Sequence, residues 1–184
     1  MGGNIFKDRA TSIKAQDIEP TIQAYREFLS SVFPQKSESF KFFEPVGSAG
    51  KKPVSGDLDL AIDKGHIVES FTASEIEKWG IEWDNWNTLY TKIHKRARTA
   101  TQEMSKMKAL LTLIAEKLKA KGIPVGDRVT AGNIFAASLN TDRMLAQRET
   151  WFRLTGWSET SIGSGGLTIL QNIQPSKDYT EPSS

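Results

Sequence analysis

The 184 residues include no cysteine, two histidines, and 24 Lys and Arg against 22 Asp and Glu, for a formal net charge of +2. This excludes a disulfide framework, a thiolate zinc centre, a cysteine nucleophile and a histidine-rich metal site, leaving oxygen ligands and ions such as Mg²⁺ or Mn²⁺. Balanced charge gives no global attraction for nucleic acid, so any basic surface has to be local. At 38% hydrophobic and 25% charged residues the chain can bury a core, and no run of 18 apolar residues predicts a membrane span.

Residues 1–16 are polar and read as an irregular N-terminus. From Asp17 the pattern is helical: Ile18, Ile22, Tyr25, Leu29 and Val32 recur at spacings of four and three, one apolar stripe. Pro20 falls in the first turn, where its missing N–H is tolerated, and Pro34 stops the helix. Residues 35–39 read as a polar loop and Phe40 to Val46 as a short aromatic strand. Gly47 to Gly56 is rich in turn formers. Asp57-Leu58-Asp59-Leu60-Ala61-Ile62-Asp63 then alternates with period two, so Leu58, Leu60 and Ile62 face a core while Asp57 and Asp59 point together from the other face.

Ser74 with Glu77 resembles a capping box, predicting a short helix over residues 74–79. Leu89, Ile93, Ala97, Ala100, Met104, Met107, Leu111, Ile114 and Leu118 keep helical spacing, which predicts one long helix over 86–121, or two broken near Thr99–Thr101. Gly122 and Pro124 close that segment. Residues 123–140 read as a short strand or as a turn and a strand, residues 142–154 as a helix, 158–166 as a Ser/Gly linker, 167–173 as a short strand, and the last eleven residues as disordered.

The chemistry-bearing stretch is Val46-Gly47-Ser48, eight residues, then Asp57-Leu58-Asp59-Leu60. Carboxylates at i and i+2 on one strand are nearly parallel, and two like charges this close are most easily explained by a shared cation. A Gly-Ser step lets backbone approach a phosphate, the Ser48 hydroxyl adds a donor, and Lys51 and Lys52 could meet a triphosphate or a nucleic-acid acceptor. An edge strand showing acids to solvent beside a hairpin loop is the bland alternative.

These residues resemble the nucleotidyltransferase superfamily that includes DNA polymerase beta, the poly(A) and CCA-adding enzymes and the small antibiotic adenylyltransferases. The family pattern is a hydrophobic residue, Gly-Ser, a loop of about ten residues, and Asp-apolar-Asp on a strand. Gly50-Lys51-Lys52 and Ser55-Gly56-Asp57-Leu58-Asp59-Leu60-Ala61 are particularly similar to bacteriophage-encoded members. The resemblance covers residues 17–63. It implies an α+β domain over residues 17–157, with a small mixed sheet, flanking helices and one long helix after the catalytic strand, followed by a flexible linker and tail over 158–184. It also implies Mg²⁺ or Mn²⁺ on Asp57 and Asp59, a nucleoside triphosphate on Gly47, Ser48, Lys51, Lys52 and Ser55, and transfer of an NMP to a nucleic-acid, protein or small-molecule acceptor. Family enzymes use a third carboxylate from a later strand. Asp127 is the best candidate, Asp142 and Glu149 are poorer because both lie in the predicted helix, and Asp63 could assist from beside the pair. A non-catalytic relative, serving as a binding or structural module of a phage particle, is the rival reading. The expected location is the host cytoplasm or the virion, with no membrane partner, and with oligomer or virion partners open.

Outside the motif, Lys92, His94, Lys95, Arg96, Arg98, Lys106 and Lys108 form a basic cluster, read either as a phosphate-binding surface or as a solvated helix face. Trp79, Trp83 and Trp86 follow helical spacing and read as core or interface. His66 reads as a turn residue, and the Gly163–Gly166 run as linker rather than a phosphate loop.

Overall fold

The apolar stripe at Ile18, Ile22, Tyr25 and Leu29 does what its spacing demands: helix α1 (Ile18–Val32) buries all four against the core. A computed structural model describes residues 12–47, 50–121, 149–156 and 167–170. Ahead of α1, strand β1 (Ile13–Lys14) already belongs to the fold, because Ile13 is buried and pairs with Ser55 of β3 (Val54–Ser55).

After α1 the chain departs from the expected loop over 35–39 and short strand over Phe40–Val46. Residues Pro34–Phe42 form a 3₁₀ helix, and only Glu44–Val46 is strand (β2). The reason is tertiary. Arg26 on α1 donates from its guanidinium to the carbonyls of Phe40 and Phe43, each at 3.1 Å, and holds this segment against the helix. Phe40 and Phe43 turn inward to the core, while Phe42 is 49% exposed and stacks on His66 at 3.7 Å.

Strand β4 (Leu58–Asp63) carries the predicted alternation, with Leu58, Leu60 and Ile62 buried. It is central in a four-stranded sheet of order β2-β4-β5-β6, where β5 is Glu149–Thr155 and β6 is Leu167–Leu170. β2 pairs with it antiparallel and β5 parallel, so the sheet is mixed. The helix expected over 142–154 is therefore corrected from residue 149 onward. Phe152 and Leu154 are buried in alternation, a period of two rather than 3.6. β6 pairs antiparallel with β5, so the sheet draws on residues beyond 157.

The segment after β4 is helical in pieces: α2 (Lys64–Ile67), α3 (Ala73–Glu77), α4 (Trp83–Arg96) and α5 (Gln102–Ala120). The cap of α3 is Thr72, whose hydroxyl accepts from the Glu75 amide, rather than Ser74 with Glu77. The single long helix is corrected to two. α4 ends at Arg96, and Thr101 starts α5 afresh by accepting the Met104 amide at 3.2 Å. The Thr101 cap satisfies an end group that a continuous helix would not have. α4 and α5 pack together as a hairpin, burying Trp86, Met107, Leu110, Leu111, Ile114 and Leu118. Trp79 and Trp86 are core residues, as their spacing predicted. Their indole N–H groups donate to the carbonyls of Ile67 and Lys106. The closing Gly122 and Pro124 lie outside the described residues. The architecture is α+β, and among the described residues no helix is long and apolar enough to cross a membrane.

One core-edge residue makes a pH prediction. Lys36 is only 9% exposed, with its ammonium 5.3 Å over the Trp79 ring. Burial holds its pKa below the ordinary 10.5, with the Glu75 carboxylate pulling the other way. Below the folded-state pKa, both states are protonated and the burial cost is fully present. As pH rises from there towards 10.5, the folded lysine sheds its proton first, the unfolded chain binds more protons, and stability rises. Urea denaturation should show wild type gaining stability relative to Lys36→Met across that alkaline interval, with no change in the difference near neutrality.

Candidate functional site

β2 delivers the chain to Gly47 beside the middle of the sheet, since Val46 is the register partner of Asp59. Gly47 has φ +75°, a conformation that side chains rarely adopt, and a Cβ built there would stand 3.1 Å from Asp59 Oδ2. Backbone without a side chain thus approaches the carboxylate directly. The two halves of the predicted motif, separated by a turn-rich loop in sequence, are brought together in space.

Asp59 lies on the face of β4 opposite the buried leucines and is half-buried. Its Oδ1 accepts a hydrogen bond from Arg153 Nε at 3.0 Å, with side chains 20% and 28% exposed. Asp57 stands just before β4, also half-buried, one period from Asp59. The lysines of the loop, Lys51 and Lys52, are exposed and follow Gly50, which has φ +80°. Ser55 differs from them: it is buried in the β1–β3 pair rather than presented on the loop. Ser48 and Asp127 lie outside the described residues.

Asp63 is engaged at the end of β4. Its Oδ1 accepts the Gly65 amide at 2.8 Å and caps α2, and a Cβ on Gly156 would fall 2.6 Å from its Oδ2. It therefore joins the ends of β4 and β5, four residues from Asp59 along an extended strand.

Arg153 is the site residue that the sequence reading missed. The signal was present in Phe152-Arg153-Leu154-Thr155, where apolar and polar residues alternate. Reading the segment as the end of a helix hid it. β5 lies parallel beside β4. Register pairs Leu58 with Thr150, which sets Glu149 at the level of Asp57.

Among the described residues no three acidic or histidine side chains converge as a metal cluster. The donor set still suits a hard divalent cation. Asp57 and Asp59 offer carboxylate oxygens only, and a divalent ion there would have to compete with the guanidinium that Asp59 already holds. No protein-family model, curated protein or solved structure matches the chain.

Proposed function

We propose that this chain has a nucleotidyltransferase-like fold and moves an NMP from a nucleoside triphosphate to a hydroxyl acceptor, the acceptor oxygen bonding to the α-phosphorus as it loses its proton and pyrophosphate leaving. The observation that carries the reading is the approach of the Gly47 turn to the Asp59 carboxylate. A triphosphate lying along side-chain-free backbone there would meet the acidic pair, with exposed Lys51 and Lys52 nearby in the chain to balance its charge. Mg²⁺ or Mn²⁺ held by Asp57 and Asp59 would neutralise triphosphate charge and make the acceptor hydroxyl easier to deprotonate. The protein's own task is placement, which suits a site built on a sheet rather than on loops alone. Asp127, outside the described residues, is the candidate for the third carboxylate in this proposal.

The test is transfer of labelled NMP from each of the four NTPs to RNA, protein and small-molecule acceptors with Mg²⁺ or Mn²⁺. Asp57→Asn and Asp59→Asn should each lower transfer by about 10²-fold or more, the scale for removing one preorganised electrostatic element. Absence of transfer from wild type with every pairing, together with no nucleotide binding, would discard the enzyme reading.

A second reading, a non-catalytic binding or structural module, has one observation in its favour. The 3.0 Å Arg153–Asp59 pair satisfies the carboxylate with a protein cation. On that reading nucleotide binds equally well with and without divalent ions, and no transfer follows.

A further inference from the structure

The α4–α5 turn concentrates charge that the rest of the fold does not use. Residues 85–102 contain Lys92, Lys95, Arg96 and Arg98 and no Asp or Glu. The next acid, Glu103, is engaged by Lys64 at 2.8 Å. Lys106 lies over the Phe71 and Tyr90 rings, at 6.0 and 5.6 Å from their centroids. Lys92, Lys95, Arg96, Arg98 and Lys108 are exposed, and none forms an ion pair among the described residues. Placing Lys95 and Arg96 in the last turn of α4 suits the helix dipole. It leaves Lys92, Lys95 and Arg96 as like charges three and four residues apart, which repel on a helix unless an anion lies across them.

Beside these cations is a cleft of about 420 Å³ between the end of α4 and the start of α5. Ile93, Ala97, Ala100 and Met104 give it an apolar floor, and Arg96 and Lys108 stand at it from the two helices. His94 Nδ1 meets the buried Ser105 hydroxyl at 2.9 Å across the same junction and ties the helices together there.

We propose that this turn is a docking surface for single-stranded nucleic acid, with one base on the apolar floor and the flanking phosphates on Arg96 and Lys108. Charge complementarity selects a polyanion, because five unpaired cations extend well beyond one cleft. The apolar floor selects a strand whose bases are free to leave a stack, as in single-stranded sites, over a duplex. The cleft is within the size range of sites that hold one small-molecule unit. The surface does not depend on transfer chemistry and is read with neither nucleotide nor divalent ion present.

The experiment is fluorescence anisotropy of a labelled 20-nucleotide poly(U) and of an RNA duplex of equal length with the full chain, as a function of salt. Wild type should bind the single strand more tightly than the duplex. Arg96→Glu/Lys108→Glu should weaken single-strand binding at least tenfold and lower the salt slope by about 1.4, as for two lost phosphate contacts. Lys14→Glu/Lys121→Glu carries the same change in net charge on residues away from the cleft and should stay within twofold of wild type. Circular dichroism melts of both variants should match wild type, since all four side chains are exposed. Equal weakening by both double variants, tighter binding of the duplex, or displacement of the oligonucleotide by polyglutamate at equal charge would overturn the proposal.

Discussion

Phe152→Ala should be the most destabilising single change in the sheet, at about 3–5 kcal/mol in urea denaturation. Phe152 is fully buried and stands edge-on to Tyr25 of α1 at 5.3 Å and to Phe43, just before β2, at 4.8 Å. One ring therefore joins β5 to both α1 and the chain entering β2. Truncation would leave a cavity that these aromatic neighbours cannot close by small rotations. Total stabilities of about 5–15 kcal/mol make such a loss sufficient to unfold much of the population at physiological temperature. Phe152→Leu, which keeps most of the volume, should cost less than half as much. Equal losses for the two would show that β5 is not packed as described.

The second large effect is expected at Gly47, on function more than on stability. With φ at +75°, any side chain there strains the backbone by about 1–2 kcal/mol. A Cβ would also press on Asp59 Oδ2 at 3.1 Å. Gly47→Ala should therefore melt only a few degrees below wild type, while nucleotide binding falls at least tenfold. Gly50→Ala is the comparison. It carries similar backbone strain at φ +80°, but its nearest contact is the Ile18 methyl at 3.9 Å. It should match the stability loss and keep most of the binding. If the two variants lose binding equally, the effect is strain in the loop and not the approach to Asp59.

What could be read from sequence follows from how local each determinant is. α1 was legible because its five apolar residues at helical spacing all lie within the element, with Pro20 in its first turn and Pro34 just past its end. β4 was legible because Leu58, Leu60 and Ile62 alternate with Asp59, Ala61 and Asp63 over a full strand. The 3₁₀ helix over Pro34–Phe42 was not, because Arg26 holds it from another element. The helix break before Thr101 was only half visible, since the apolar stripe runs straight through Ala97 and Ala100. β5 was misread because seven residues of strand derive their identity from a partner far away in the chain. That error had a functional consequence: it assigned Glu149 to a helix and left Arg153 out of the site. The Gly47–Asp59 meeting was anticipated from motif order, but the steric reason for glycine emerged only from the register of β2 on β4.

The Arg153–Asp59 pair separates the two functional readings in solution. The Arg153 guanidinium offsets the negative charge of Asp59 and so weakens the hold of that carboxylate on a divalent ion. On the enzyme reading, Arg153→Gln should tighten Mn²⁺ binding severalfold, as followed by electron paramagnetic resonance of the free ion. The stability change should be modest, since the pair is partly solvated.

The central claim is that Gly47, Asp57 and Asp59 together hold a cation and a triphosphate. The most direct measurement is anomalous diffraction from crystals grown with Mn²⁺ and a non-hydrolysable nucleoside triphosphate. The account predicts a manganese peak bridging the Asp57 and Asp59 carboxylates, the triphosphate along the Gly47 turn, and Arg153 drawn off Asp59 Oδ1. Nucleotide bound elsewhere, or no manganese at the pair under saturating conditions with Arg153 still on Asp59, would contradict it.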